Sequence, residues 1–548
     1  MRQAKMPAID KKQGVIALYD IWPWVAIIVV IIAAAVIRGQ LLSIPFERDE
    51  GEYAYIAQQM LKGVPPYVSA YSMKLPGIYV VYALIISVFG QTHTAVHLGL
   101  LIFNAATIFV IFLLAKKLFR SIAAVAAGGA YAVLSMTAQV SGLWANAEHF
   151  VVLPALVGLL LICNSNGKIG HVRLLIAGLL FGFAFIIKQH GIFFPMFGAL
   201  YLLYSGLCNK PVKWIKVIVT QIVFAAGAVT PFVLVCFFFW RNGTFDKFWF
   251  WTFTYARGYV TAVPLDLVWE LFAWPAGIMI EEGFPIWFLS IFGFFAVTVI
   301  KRYRRWAVLA AGFFIFSFLA VCPGFYFRGH YFIFLLPAAA ILAGAGLAAI
   351  DVLFQRIMPV ILRVFIIGVI GLGAVGYSLY QQREYLFELS PEDVCRKVYD
   401  VNPFPESLRI AEFIRDNSRP DDTVAVIGSE PQIYFYSGRR SATSYIYTYP
   451  LMEPTQAAGK MQQEMITQIE TAKPAFMVFV RVTTSWIIRP NSTQDIFNWF
   501  EPYVNNFYKL VGVVNIPSSG QTVYYWNSQA KNPSPESQFW VAVFKRRE

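Results

Sequence analysis

Charge is scarce in this sequence. Asp, Glu, Lys and Arg make up 14% of its 548 residues, against roughly 25% in a soluble globular chain. That deficit excludes a wholly soluble protein. Cysteine is sparse too: Cys163, Cys208, Cys236, Cys322 and Cys395 show no CxxC or metal-ligand spacing. Four of the five lie in or beside apolar runs, where the thiol acts as a small hydrophobe, so neither a disulfide framework nor a zinc module is expected. No Walker sequence occurs. Gly371-Leu372-Gly373-Ala374-Val375-Gly376 spells GxGxxG inside an apolar run, with no strand before it or acid after it, and reads as close helix packing rather than nucleotide binding. The net charge of +13 is not gathered into a basic stripe on a soluble module, which excludes nucleic acid as a partner.

What the chain has instead is long apolar runs, recurring from about Ile21 to Tyr380. A membrane span needs roughly 20 apolar residues, so this stretch holds about ten to twelve. Eleven are predicted, over 21–42, 94–115, 121–143, 147–163, 172–187, 190–206, 214–240, 284–300, 306–321, 330–350 and 359–380. The first run is long and lacks a cleavage site, so it is read as a retained span rather than a signal peptide. With Lys5, Lys11 and Lys12 inside, alternation gives the inside loops Lys116, Lys117 and Arg120, then Lys168 and Arg173, then Lys210, Lys213 and Lys216. They go on to Lys301, Arg302, Arg304 and Arg305, and to Arg356 and Arg363. Every inside loop is basic, as the positive-inside rule requires. The N-terminus is then cytoplasmic and the C-terminal part extracytoplasmic. Two parts are expected: a membrane bundle over 1–380, with a first outer loop at 43–93, and a soluble domain over 381–548.

The outer face collects ionisable groups. The first loop carries Glu47-Arg48-Asp49-Glu50-Gly51-Glu52, where Asp49 as N-cap and Glu52 three residues on would form a capping box. The helix would end near Lys62-Gly63. That accounts for Asp49 and Glu52 but not for Glu47 and Glu50, and clustered acids at a membrane surface are candidates for a general base or metal ligand. Lys74 follows in the same loop. Glu148 opens the fourth span, Lys188-Gln189-His190 joins two spans, and Arg328-Gly329-His330 opens the tenth. Cations for a phosphate and carboxylates for an acceptor hydroxyl stand on one face. Because nucleotide sugars are cytosolic, a sugar donor for this face would arrive on a lipid. His93 and His97, four residues apart, are read as interface histidines, and Glu281-Glu282 as a solvated loop end.

With these residues the chain resembles the membrane-embedded GT-C glycosyltransferases, in particular the protein O-mannosyltransferases and the aminoarabinose transferase of lipid A. Arg48-Asp49-Glu50-Gly51 is similar to their first-loop acidic motif, and Lys74-Leu75-Pro76 to a Lys-Pro-Pro element with Leu75 replacing the first Pro. Gly178 to Gln189 resembles the family helix ending in Lys. Arg328 to Pro337 resembles an Arg-Tyr span, with Gly329 and His330 interposed. Gly428-Ser429-Glu430-Pro431 through Arg439-Arg440 resembles the start of the outer domain. The resemblance implies that Asp49 is the general base, supported by Glu50, with Glu148 a second acid. It implies that Lys74, Lys188 and Arg328, with His190 and His330, hold the donor phosphate. The expected reaction is inverting transfer from a polyprenyl-monophosphate-linked sugar to a hydroxyl of a lipid, glycan or protein, in a bacterial plasma membrane. Some such enzymes use a divalent metal and others none, and no metal ligand set is assigned here.

Beyond Tyr380 the pattern changes to alternating elements: helices over 406–417 and 453–471, strands over 423–428, 475–480, 508–514 and 522–526. This is an α/β domain without a nucleotide fingerprint, serving either as a lid on the bundle or as an acceptor-binding module. Asn242-Gly243-Thr244 and Asn491-Ser492-Thr493 match the glycosylation acceptor pattern, which chance matches often do. Two other functional classes stay open: a transporter or lipid flippase, which would place ionisable groups near the bilayer midplane in repeated halves, and a ligase of diphosphate-linked glycans.

Overall fold

The computed structural model describes residues 11–163, 169–531 and 537–547; Lys5 and Lys168 lie outside them. Each of the eleven apolar segments contains a helix, but the one expected over 121–143 stops at Leu134 and continues as turns. Among the described residues, seven helices are long and apolar enough to cross a membrane, including Ile21–Gln40, His93–Phe119, Trp214–Arg241 and Val360–Gln381. The shorter apolar helices are Gly77–Phe89, Ser121–Leu134, Ala147–Ile162, His171–Ile187 and Phe284–Val299. Gly77–Phe89 belongs to the segment expected as an outer loop. The loop between Arg241 and Gly283 is also helical: Phe245–Val260 and Leu265–Glu282 meet at a 73° bend. The first of these has a π-helical turn over Phe250–Tyr255, an irregularity that in helices often marks a functional segment.

Leu336–Phe354 is the axis of the bundle. It is rich in Ala and Gly, and from Leu336 to Ala349 every residue is buried. Small side chains let neighbouring backbones approach: a Cβ on Gly344 would strike the carbonyl of Ala123, and one on Gly346 that of Leu289. Val360–Gln381, in contrast, lies outside, with Ile361, Phe365 and Leu372 exposed. Its GxGxxG segment does not serve close packing as expected. Gly373 and Gly376 face open space, and only Gly371 approaches a neighbour, Leu347 at 3.2 Å. Exposed apolar surface of this extent matches hydrocarbon rather than water.

The remaining chain builds one mixed sheet. Its strands are β1 (Thr423–Ile427), β2 (Arg440–Ser441), β3 (Phe476–Arg481), β4 (Tyr508–Asn515), β5 (Val523–Trp526) and β6 (Trp540–Arg546), in the order β2-β1-β3-β6-β4-β5. β1 pairs in parallel with β2 and β3, and the other pairings are antiparallel. Helices Phe404–Asp416 and Gln456–Ala472 stand where the apolar periodicity places them. The short strand β2, the last strand β6 and helix Asp495–Phe507 are not among the elements expected from the sequence pattern. The loop after β1, 428–431, meets the first-loop helix of the bundle at Arg48, and the loop after the parallel strand β3, 482–489, joins it through Ser485. Ligands of parallel α/β sheets bind outside such strand ends.

Candidate active site

Helix Arg48–Leu61 starts one residue before Asp49. Its N-cap is Glu47, whose side chain accepts from the Glu50 N–H while Glu50 accepts from the Glu47 N–H. The capping box therefore uses Glu47 and Glu50, not the expected Asp49 and Glu52. The reason is tertiary. Glu50 is fully buried and takes a second donor from the Ala145 N–H at 2.5 Å and an imidazole contact from His97 at 2.9 Å. Glu50 faces away from the site, and His97 is buried behind it rather than at an interface. Asp49 and Glu52 are left free to face a cavity.

That cavity measures about 940 Å³ and lies between the bundle and the sheet. Asp49, Lys74, Lys188, His190, Arg328 and His330, all singled out from the sequence, line it together. Asp49 is the most heavily bonded. Lys74 Nζ donates to its Oδ2 at 3.0 Å, Tyr53 to the same oxygen at 3.4 Å, and Tyr447 to Oδ1 at 3.1 Å. Burial alone would raise the Asp49 carboxyl, but Lys74, His330 and Lys188 outweigh it and hold it below the usual carboxylate range. Lys74 is held up in turn, against its own burial, by Asp49 and Glu52. Its position depends on Gly77, where a Cβ would come within 2.5 Å of the Ile186 carbonyl. The Lys74 loop thus packs on the end of the helix that delivers Lys188.

Glu148 sits one layer deeper, with no exposed side-chain surface. Lys188 donates to its Oε1, and His330 Nδ1 stands 3.2 Å from the same atom. Lys188 also lies over the Tyr331 ring, 4.3 Å from its centroid. Glu148 is not a wall of the cavity but orders two groups that are. His190 Nδ1 contacts the Ala320 carbonyl at 2.8 Å, which fixes its ring against Tyr331. Arg328 stands at the wall, with its Nη2 3.4 Å from the Tyr259 hydroxyl. Among the described residues no carboxylate pairs with Arg328, nor with Arg257 or Arg489, which line the same space. No three His, Cys, Asp or Glu side chains among the described residues are grouped to hold a metal ion. Lysine ammonium groups already occupy the carboxylates of Asp49 and Glu148, an arrangement that suits an anion better than a divalent cation. Glu281 and Glu282 end helix Val268–Glu282 and do not reach the cavity.

The far half of the chain closes the site. Arg48 donates to the Ser429 carbonyl at 2.5 Å, Tyr449 at 2.8 Å, and Asn402 and Glu430 at 3.0 Å each. At Gly51 a Cβ would meet the Gln432 backbone nitrogen at 2.6 Å. The four residues Arg48-Asp49-Glu50-Gly51 thus divide the work: Arg48 docks to the sheet, Asp49 faces the cavity, Glu50 caps the helix, and Gly51 permits close approach. Tyr445, Tyr447 and Tyr449, Thr484 and Arg489 complete the wall, and none was singled out from the sequence. The period-2 spacing of the three tyrosines in an otherwise irregular stretch is the signal that marks them. The same lining also carries the apolar side chains of Phe185, Ile192, Phe193, Trp251 and Phe253.

Residues 74–240 match the family of dolichyl-phosphate-mannose-protein mannosyltransferases, a segment that includes Lys74, Glu148, Lys188 and His190. Comparison with curated proteins finds no match. Among solved structures, the chain is similar to ArnT from Cupriavidus metallidurans bound to undecaprenyl phosphate. The TM-score is 0.60 at 15% identity, over 95% of this chain and 98% of that one. It is also similar to the oligosaccharyltransferase AglB from Archaeoglobus fulgidus, in complex with an inhibitory peptide and a dolichol-phosphate. There the TM-score is 0.51 at 13% identity, over 92% of this chain and 75% of that one. The fold is that of the GT-C glycosyltransferases, and the chain is an integral membrane protein of that architecture.

Proposed function

We propose that this GT-C-fold chain transfers a sugar from a polyprenyl-monophosphate-linked donor to an acceptor hydroxyl, with Asp49 as general base. The observation that carries the reading is one cavity with two chemistries. Its apolar lining, with Phe185, Phe193 and Phe253, suits an isoprenoid chain, and Lys74, Lys188, Arg328 and Asp49 line the same space. The solved relatives bind undecaprenyl phosphate and dolichol-phosphate, ligands of the same two chemistries.

In the proposed step the acceptor oxygen forms a bond to the anomeric carbon as the bond from that carbon to the phosphate oxygen breaks. The bonding pair leaves on the phosphate, and the hydroxyl proton passes to Asp49. A single displacement inverts the anomeric centre. The leaving phosphate gains charge, and preorganised cations stabilise that gain without reorganising. Lys74, Lys188 and Arg328 fill this role, with His190 and His330 at the same wall. Glu148 keeps Lys188 in place, and Glu50 fixes the start of the Asp49 helix, so both act by positioning. The cavity opens on the side that basic-loop alternation makes extracytoplasmic, and the sheet-bearing part, 381–548, closes it there. A bacterial plasma membrane with the N-terminus inside accords with that alternation.

The test is transfer and hydrolysis from a panel of synthetic polyprenyl-phosphate sugars, with the purified chain and its Asp49→Asn variant. Sugar released or transferred by the parent but not the variant is the expected result. Turnover undiminished in the variant would remove Asp49 from the base role.

A further inference from the structure

Asp49 poses a problem for the reaction it serves. Its two carboxylate oxygens already accept from Lys74, Tyr53 and Tyr447, so a proton taken from a hydroxyl has no favourable place to remain. Glu52 stands one helical turn further along the same face, at the spacing that brings side chains together. It is 3% exposed and lines the same cavity as Asp49, Ser72 and Lys74. Among the described residues no cation pairs with it at contact distance. Lys74 faces both carboxyls, bonded to Asp49 and in the field of Glu52.

We propose that Glu52 is the proton store of this site: the proton collected at Asp49 from the acceptor comes to rest on Glu52 across the Lys74 ammonium. Lys74 is bonded to Asp49 and not to Glu52, so the proton it gives to Glu52 passes through a bridging hydroxyl or water in the shared cavity, and Lys74 takes one from Asp49 in exchange. It therefore ends as it began, cationic, at the moment the leaving phosphate gains negative charge. Asp49 returns to its carboxylate form, and Glu52 loses the proton to water when the products leave. Glu52 acts through its neighbours and touches no reacting atom, so it is a positioning and proton-holding residue. The inference rests on the transferase reading.

The surroundings of Glu52 suit that role. Burial raises its carboxyl, Lys74 offsets part of the rise, Asp49 adds to it, and the Ser72 hydroxyl lowers it slightly, leaving it at about 7. Tyr53, Tyr67 and Tyr79 are the other titratable groups in its field, and all three remain neutral. Ser72 is itself held by the Tyr79 hydroxyl at 2.7 Å and the Lys74 N–H at 3.1 Å. A carboxyl so placed gives up or keeps a proton at neutral pH, where a group matched to the ambient pH exchanges protons best.

The test compares the parent with Glu52→Gln, Glu52→Asp and Asp49→Asn, using a polyprenyl-phosphate sugar as donor across a pH series. Glu52→Gln should lower kcat by about 10²-fold with donor KM little changed. It should also erase the acidic limb of the kcat profile near pH 7, and Glu52→Asp should restore a limb. A Glu52→Gln variant with the parent's kcat and limb would overturn the proposal. Infrared titration of the full-length chain in lipid nanodiscs reads the same group without turnover. A protonated-carboxyl band that fades through about pH 7 in the parent and is missing in Glu52→Gln supports the store, and a parent lacking that band refutes it. An inactive Asp49→Asn beside an unaltered Glu52→Gln removes the store but keeps the transferase. A parent that turns over no donor removes both.

Discussion

Removing the Arg48 guanidinium tests how the sheet-bearing part is held over the cavity. Arg48 and Glu430 form an ion pair at 3.0 Å, with side chains 8% and 0% exposed. The same guanidinium also bonds Ser429, Tyr449 and Asn402. Arg48→Ala leaves the Glu430 carboxylate buried with the Ser485 hydroxyl, 2.8 Å away, as its main donor. Breaking a buried pair from one side costs about 3–5 kcal/mol, because the remaining charge is uncompensated. Each 1.4 kcal/mol is about tenfold in an equilibrium, so the undocked population should rise by about 10²- to 4 × 10³-fold. Hydrogen exchange reads this directly. The Ser429 N–H donates to Ser485 and the Thr448 N–H to Ser429, and both amides should lose protection by that factor. Glu430→Gln on the Arg48→Ala background should restore most of it, since the stranded charge is gone. Less than about tenfold acceleration in the single variant, or no recovery in the double, would refute the assignment of docking energy to this pair.

Four further outcomes are expected. Asp49→Asn should lower kcat by about 10²- to 10⁴-fold with the protein still folded, measured by donor turnover. Because the folded Glu52 carboxyl is raised to about 7, the stability it contributes is complete below its unfolded value, about 4.3, and is lost as pH rises through about 7. Glu52→Gln should therefore exceed the parent in stability by about 3 kcal/mol at pH 8 and by little at pH 4, seen in denaturation at the two pH values. Lys188→Met should destabilise by about 3–5 kcal/mol through the stranded Glu148 carboxylate, and adding Glu148→Gln should recover most of it. Gly51→Ala should cost about 1–3 kcal/mol by overpacking against Gln432, lower activity by displacing Asp49, and leave the apolar helices intact by circular dichroism.

The membrane bundle was legible because a span asks only for apolar length, and each of the eleven segments read from that length contains a helix, although the third is helical only to Leu134. Asp49, Lys74, Lys188, His190, Arg328 and His330 were legible for a related reason. Alternation of basic loops places each of them at the same end of the bundle, and the end of a bundle is small enough that residues sharing it meet. The choice among the acids was not legible. Glu47 and Glu50 stand three apart, and so do Asp49 and Glu52, so the capping-box spacing fits both pairs equally. What separates them lies far downstream: 95 residues on, where the Ala145 N–H binds Glu50, and 398 residues on, where Tyr447 binds Asp49. Local spacing cannot carry that information, because it is set by which partner each carboxylate meets after the chain has folded. The same holds for Glu430, whose charge makes sense only beside Arg48. A local pattern proposes the groups, and the long-range partner decides which of them keeps a free face for chemistry.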